Sequence, residues 1–367
     1  MVPFRQLRIL IAPLDWGLGH TTRCTPIISH LLECGHTPVF AGNEWQMNYI
    51  EQIFPTIEKT YLQGYDVTWT NSLTHFLLQT GRLRKQIKNE QAWLNQNVGK
   101  LRLDGVISDN RYGLFSQKIS CVFITHQPGI MSGCGSSADK FVRLIHNYYL
   151  SKFNEVWIAD KPGAISVGGG LSHAKPELQN SCFIGLLSGF SALPALMPDS
   201  NPAGFQDFVL ILISGPEPQR SLFSELLWQQ ALAYPGNVVF VEGSEIRARS
   251  VSQIPGHVKY FGRLSQQSLY PIIQKAKYVV CRSGYSTVMD LIYLGKKAFL
   301  IPTPGQPEQL YLGKTLNASG YFPSGLQENF RLLEAIEKIE NFPFQNPFAV
   351  HDFENFKLVL NAWLASL

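Results

Sequence analysis

The stretch Val279–Gln309, VVCRSGYSTVMDLIYLGKKAFLIPTPGQPEQ, decides how the chain is read. Val279–Cys281 has the composition of a short buried strand. Ser283-Gly284 makes a tight turn, and the residues from about Ser286 to Leu294 have a helical pattern. Ala298–Ile301 is a second strand, and a Pro/Gly-rich loop follows it, ending in Glu308-Gln309. A strand that runs through a small-residue turn into a helix start is an anion site. Free N–H groups and the positive end of the helix dipole converge there. Ser286 and Thr287 open that helix. Asp290 lies about one turn further in, where a carboxylate can accept hydrogen bonds from a sugar diol. A phosphate cradle beside a diol acceptor is what a nucleotide-sugar needs.

The rest of the chain repeats this alternation of strand and helix. Apolar runs at Arg8–Ala12, Thr37–Ala41, Gly105–Ser108, Cys121–Thr125 and Glu155–Ala159 are predicted strands of a first set. Thr22–Cys34 is a predicted helix stopped by Gly35. A second set holds strands Phe208–Ile213, Val238–Val241, Val258–Phe261, Tyr278–Cys281 and Ala298–Ile301, with a helix over Ser221–Ala233. Alternation of this kind predicts an α/β protein with parallel sheets. The 367 residues suit two domains. The predicted division is 1–187, a Pro/Gly/Ser-rich linker over 188–206, 207–350, and a C-terminal helix over 351–367 that crosses back to the first domain.

Composition narrows the class without naming it. A net charge of +4 permits contact with phosphates or anionic lipid and does not call for nucleic acid. The six cysteines form no C-x-x-C pair, which predicts reduced core thiols and a cytoplasmic setting. The N-terminal apolar run is broken by Pro13 and Asp15 and is a first strand rather than a signal peptide. No run of about 18 apolar residues predicts a transmembrane helix. Two basic, aromatic stretches, Arg82–Arg102 and Lys140–Phe153, are either solvated helix faces or peripheral membrane contacts.

Polar residues at predicted strand ends mark the remaining sites. Asp15-Trp16-Gly17-Leu18-Gly19-His20 follows the first strand, and Arg23 stands one turn beyond His20. Gly17 and Gly19 let backbone approach a ligand at the carboxyl end of the strand, where open α/β sheets bind ligands. Ser108-Asp109-Asn110-Arg111 and His126-Gln127 end two further strands. Asp109 there is either a base for an attacking hydroxyl or a helix cap. In the second domain, Ser214, Gly215 and Arg220 lie in the loop after its first strand, suited to a diphosphate. No D-x-D triplet, P-loop or G-x-S-x-G occurs in the sequence. Dipoles and cations are then expected to stabilise a leaving phosphate in place of a metal, with no cofactor.

These residues resemble the GT-B glycosyltransferases, and among them the family 28 N-acetylglucosaminyltransferases that act on a lipid-linked peptidoglycan precursor. The resemblance is clearest over Val258–Gly320. It implies two Rossmann-like domains facing across a cleft. It also implies that Arg282-Ser283-Gly284 opens the diphosphate-binding helix and that Asp290 takes the ribose position. An aspartate there replaces the family's glutamate. Phe261-Gly262 falls where the family places uracil, and Glu308-Gln309 where it reaches the sugar hydroxyls, although Leu310 replaces what is often a second glutamine. Gly17, Gly19 and His20 match the N-terminal turn, with Arg23, Arg111 and His126 on the acceptor side. Retaining members of the fold often carry an acid where this chain has Arg282, which favours inversion. His20 and Asp109 are the candidate bases, and an imidazole's pKa near 6.5 favours His20. The implied activity is transfer of N-acetylglucosamine or a related hexose from a UDP-sugar to a hydroxyl acceptor, lipid-linked or anionic. The alternatives are a non-hydrolysing UDP-sugar epimerase and a non-catalytic nucleotide-sugar-binding protein.

Overall fold

The computed structural model describes residues 5–65, 73–131, 135–174, 177–193, 204–244 and 254–367. The chain is α/β and divides into two units: Met1–Gly189 with Val350–Leu367, and Phe190–Ala349. Much of the stretch read as a linker, residues 194–203, and Cys134 lie outside the described residues.

The first unit holds a seven-stranded sheet. Its strands are β1 (Arg8–Pro13), β2 (Thr37–Gly42), β3 (Glu58–Tyr61), β4 (Gly105–Asp109), β5 (Ser120–Thr125), β6 (Glu155–Ile158) and β7 (Ser181–Phe183). They run parallel in the order β3-β2-β1-β4-β5-β6-β7. The helices of this part are α1 (Leu18–Glu33), α2 (Glu44–Ile53), α3 (Leu73–Asn97) and α4 (Ser136–Leu150). Ile9, Leu10, Ile11 and Ala12 of β1 are wholly buried, as expected of a strand covered on both faces. α1 begins at Leu18, four residues before the predicted start. It ends in a Schellman motif in which Gly35, at φ 75°, supplies the left-handed residue. Gly35 N–H donates to Leu32 O and His36 N–H to Leu31 O.

The second unit holds a five-stranded parallel sheet, ordered β10-β9-β8-β11-β12. Its strands are β8 (Val209–Leu212), β9 (Val238–Val241), β10 (Val258–Phe261), β11 (Tyr278–Cys281) and β12 (Ala298–Leu300). Its helices are α5 (Gln219–Ala233), α6 (Gln266–Lys275), α7 (Tyr285–Tyr293), α8 (Pro307–Ala318) and α9 (Leu332–Asn341). Both sheets therefore reverse direction of winding once, between β1 and β4 and between β8 and β11. Ligands of such sheets bind outside the carboxyl ends of the two strands that flank the reversal.

The chain then returns to the first unit as α10 (Asn355–Ala365). Phe356, Leu360, Trp363 and Leu364 enter the core beneath β1, with Ile9, Ile11 and Trp157. Trp363 packs edge-on to Trp157 at 5.7 Å and donates from Nε1 to Ser120 Oγ at 2.8 Å. Gly105 makes the room, since a Cβ there would lie 2.6 Å from the Trp363 ring. Among the described residues no helix is long and apolar enough to cross a membrane.

Trp363→Ala should empty a large, fully enclosed volume and cost about 3–5 kcal/mol. In urea denaturation the transition of the first unit should move to lower denaturant, while that of the second unit stays in place.

Candidate active site

The reversal point of the first sheet is occupied by charge. Asp109 ends β4, is wholly buried, and gathers its donors from α1 and from the neighbouring Asn110. Arg23, 2% exposed on α1, grips both carboxylate oxygens through Nε and Nη2. His20, also on α1, meets Oδ1 through Nδ1 at 2.8 Å. Residues three apart share a helix face, which is how α1 presents both groups to one carboxylate. His126, after β5, places Nδ1 3.0 Å from Arg23 Nη1. Cys24 Sγ stands 3.7 Å from Asp109 Oδ2. Asn110 takes a left-handed conformation (φ 57°), one that asparagine tolerates, and turns the chain away from the strand.

Local sequence explains why α1 holds this geometry. Gly17, at φ 89°, precedes the helix without a side-chain cap, so the first turn starts immediately before His20. Pro26 lies inside the helix and has no N–H for the carbonyl of Thr22. The Thr25 hydroxyl takes that carbonyl instead, at 2.7 Å. Gln46 caps α2 in a box with Asn43, and its Nε2 then reaches Pro13 O, Leu14 O and Thr21 Oγ1. The loop from β1 into α1 is thus tied from outside.

The electrostatics separate the two candidate bases. Burial alone would raise the Asp109 carboxyl. The charge and hydrogen bonds of Arg23, with those of His20, instead hold it well below the usual carboxylate range. Burial pushes His20 below its ordinary value, and Arg23 pushes the same way; Asp109 opposes both. Nδ1 stands between the Asp109 acceptor at 2.8 Å and the Arg23 Nη2 donor at 2.9 Å; with its proton on Nδ1 the ring donates to Asp109 and carries its lone pair on Nε2. Among the described residues, the hydrogen-bond contacts of the ring to Asp109 and Arg23 both use Nδ1. The side chain keeps 18% of its surface accessible.

Arg111 goes elsewhere. It is wholly buried, pairs with Glu90 through Nε at 2.7 Å, and reaches the carbonyls of Pro13 and Gln63. Glu90 also accepts from the Tyr65 hydroxyl at 2.7 Å and from Gly113 N–H at 2.9 Å. This network braces the β1 loop rather than meeting His20.

In the second unit, Ser214 and Gly215 follow β8 and Arg282-Ser283-Gly284 follow β11, on either side of the reversal. Gly284 is the N-cap of α7 and supplies no side chain to its first N–H groups. Ser286 and Thr287 are half-buried in that first turn, and Asp290 is half-buried further along. Arg282 is 1% exposed and stacks on Phe223 at 3.6 Å. Its Nη1 donates to Pro302 O at 3.2 Å and its Nη2 to Gln219 O at 3.3 Å. The guanidinium therefore fixes the turn from within. Ser283 Oγ donates to Gln309 O at 2.9 Å, and Gln309 Oε1 accepts from Thr303 N–H at 2.9 Å. Glu308 lies in the first turn of α8. Arg220 pairs with Glu217 at 2.6 Å. Phe261 and Gly262 are half-buried at the end of β10.

Sequence reasoning passed over Thr303. Among the described residues its buried hydroxyl has no partner, and a Cβ built on Gly215 would lie 3.8 Å away. Its position after β12, at the same sheet edge, was the available signal. Among the described residues no group of three or more His, Cys, Asp or Glu side chains could hold a metal ion.

Residues 258–352 match the glycosyltransferase family 28 C-terminal domain. An uncharacterized glycosyltransferase of Methanosarcina mazei is 24% identical over 340 residues, covering 86% of this chain and 85% of the relative. The glycotransferase of kitacinnamycin superposes with a TM-score of 0.67 at 14% identity, over 98% of this chain and 96% of the other. The spinosyn rhamnosyltransferase SpnG, solved with thymidine diphosphate, gives 0.62 at 13% identity over 98% and 96%. The protein is a glycosyltransferase with the GT-B fold. The residues that match the family 28 model lie in the second unit, apart from the last three.

Arg23→Met should leave Asp109 buried without its cation and cost about 3–5 kcal/mol. Asp109 has a depressed folded-state pKa. It stabilises the fold above the ordinary carboxylate range, and that stability is lost as pH falls below about 4. Unfolding free energies measured from pH 7 to pH 3 should start lower in the variant and fall less steeply.

Proposed function

We propose that the protein is an inverting transferase that moves a hexose from a nucleoside diphosphate sugar to a hydroxyl acceptor without a metal. The second unit binds the donor. The uncapped first turn of α7, with the Ser214-Gly215 loop, receives the diphosphate. Asp290 takes the ribose diol, Phe261-Gly262 the base, and Glu308-Gln309 the sugar. The first unit supplies the general base and the acceptor's contacts, His126 among them. The acceptor oxygen bonds to the anomeric carbon as its proton passes to His20 Nε2. The bond from that carbon to the phosphate oxygen breaks with both electrons, and the nucleoside diphosphate leaves.

One observation carries this reading: the 2.8 Å contact of His20 Nδ1 with a buried Asp109 that Arg23 keeps ionised. With the ring proton on Nδ1, Nε2 is the basic atom, and Asp109 gives the imidazolium a counter-charge once the proton arrives. Uridine is the expected base by resemblance to family 28. The thymidine diphosphate bound to SpnG makes its nucleotide the first competitor.

Calorimetric titration of UDP, TDP and GDP, with metal chelated, tests the donor half. UDP is expected to bind best, and Asp290→Ala to weaken it at least about tenfold, the loss of a charge-assisted hydrogen bond. A folded protein that binds no nucleoside diphosphate overturns the donor site. His20→Ala should leave that binding intact and lower kcat about 10²–10⁴-fold. Turnover unchanged in His20→Ala would remove the histidine from the chemistry.

The pH profile follows from the sign of the shift. A base with a lowered pKa is already unprotonated at the ordinary imidazole value. The acid limb of kcat should therefore fall below about 6.5 rather than at it. Asp109→Asn removes the group that opposes the shift, so the limb should move further down while kcat drops.

A further inference from the structure

The two basic, aromatic stretches fold into helices with opposite outer faces. On α3, Ile87, Glu90 and Leu94 are buried and Trp93 packs against the core. The exposed residues between 82 and 96 on that helix are Arg82, Arg84, Lys85, Lys88, Asn89, Ala92, Asn95 and Gln96, which form an ordinary solvated face. α4 differs. Its inner face is anchored: His146 is 4% exposed, Leu150 is wholly buried, and the Tyr112 hydroxyl meets His146 Nδ1 at 2.8 Å. Its outer face is apolar as well. Phe141, Leu144 and Tyr148 are 57%, 70% and 57% exposed. They stand three and four residues apart, so they form one ridge along the helix.

Lysines bracket that ridge. Lys140 is exposed at one end and Lys152 at the other, with the Lys152 ammonium 4.5 Å from the centre of the Tyr148 ring. Lys152 also lines a polar surface depression of about 550 Å³, together with Lys118, Ser116 and Ser151. Apolar side chains continuous with cations and hydroxyls are complementary to an acyl boundary capped by anionic headgroups. A protein partner fits less well. A stable protein interface needs about 800 Å² on each side, and three side chains on one convex helix fall short of that.

We propose that α4 is a membrane-docking element that lies in the surface of a bilayer rich in anionic lipid. Phe141, Leu144 and Tyr148 enter the acyl boundary. Lys140 and Lys152 pair with headgroup phosphates, and the depression at Lys118 and Lys152 seats one of them. The inference is independent of the donor site, and nucleotide titration distinguishes failure of one from failure of the other.

The test is sedimentation of the full chain with vesicles of phosphatidylcholine alone and of phosphatidylcholine with phosphatidylglycerol. At low salt the protein should pellet with the anionic vesicles and remain free of the neutral ones. Replacing Phe141, Leu144 and Tyr148 together by Ser should weaken partition at least about tenfold. Lys140→Gln with Lys152→Gln should weaken it about 25-fold, roughly fivefold for each charge near the surface. Both variants should retain wild-type nucleotide binding and circular dichroism. A wild-type protein that stays in the supernatant with anionic vesicles overturns the proposal. So does a triple variant that pellets as the wild type does, or a wild-type dimer that the triple variant converts to monomer.

Discussion

A charge taken out of water must be matched, and the first unit is arranged around one such charge. Asp109 has no accessible surface. An unpaired carboxylate in that position would protonate, because desolvation disfavours its charged form. Arg23 prevents this by meeting both oxygens in the fork geometry that guanidinium and carboxylate share. The match fixes more than two side chains. Arg23 rides on α1, Asp109 ends β4, and His126 follows β5 and touches the same guanidinium. The pair therefore sets where a helix starts relative to two strand ends. Gln46 and Arg111 hold the β1 loop from its other sides.

The two units repeat one topology and use it in different chemical senses. Both reverse the strand order at the middle of the sheet. In the first unit the reversal holds ionised side chains that are already paired. In the second, Arg282 is turned inward onto Phe223 and backbone carbonyls, and Ser283 and Gln309 tie neighbouring loops together. Among the described residues, the first N–H groups of α7 have no side-chain cap and the Thr303 hydroxyl has no partner. An anion arriving there meets backbone dipoles and hydroxyls on a braced turn, a preorganised arrangement that needs little movement to stabilise charge.

Strands buried on both faces were legible because they must be continuously apolar, and β9 and β11 coincide with their predicted bounds. Elements that escaped are those whose sequence carries no such signature. β3 is Glu-Lys-Thr-Tyr at a sheet edge, and β7 has three residues. α2 announced itself only through Asn43 and Gln46, three apart, a capping box without a strong apolar stripe. In the site, the convergence of His20, Asp109 and His126 was legible because strand ends of one parallel sheet share an edge. The direction of Arg111 was not. It stands two residues from Asp109, but the left-handed Asn110 turns the chain, and the partner it meets, Glu90, is distant in sequence. Of two arginines read as acceptor-side, Arg23 pairs with Asp109 and Arg111 with Glu90.

The proposal of His20 over Asp109 as base, open on sequence alone, rests on which group the fold allows to stay neutral. Arg23 keeps Asp109 ionised so firmly that the carboxylate is a poor place for a proton. His20 meets the opposite conditions. It stands in the first turn of α1, where the positive end of the helix dipole disfavours an imidazolium. Burial and Arg23 disfavour it too, and only Asp109 speaks for the charged form. The resting ring therefore favours the neutral form, and with its proton given to Asp109 its lone pair is on Nε2. A proton transferred there produces a cation directly against the carboxylate that held the ring in place. Two groups 2.8 Å apart are both held deprotonated, one charged and one neutral, and Arg23 lowers the pKa of each, beside burial in the case of His20. The removal of Arg23 would blur that distinction before it broke any contact with substrate.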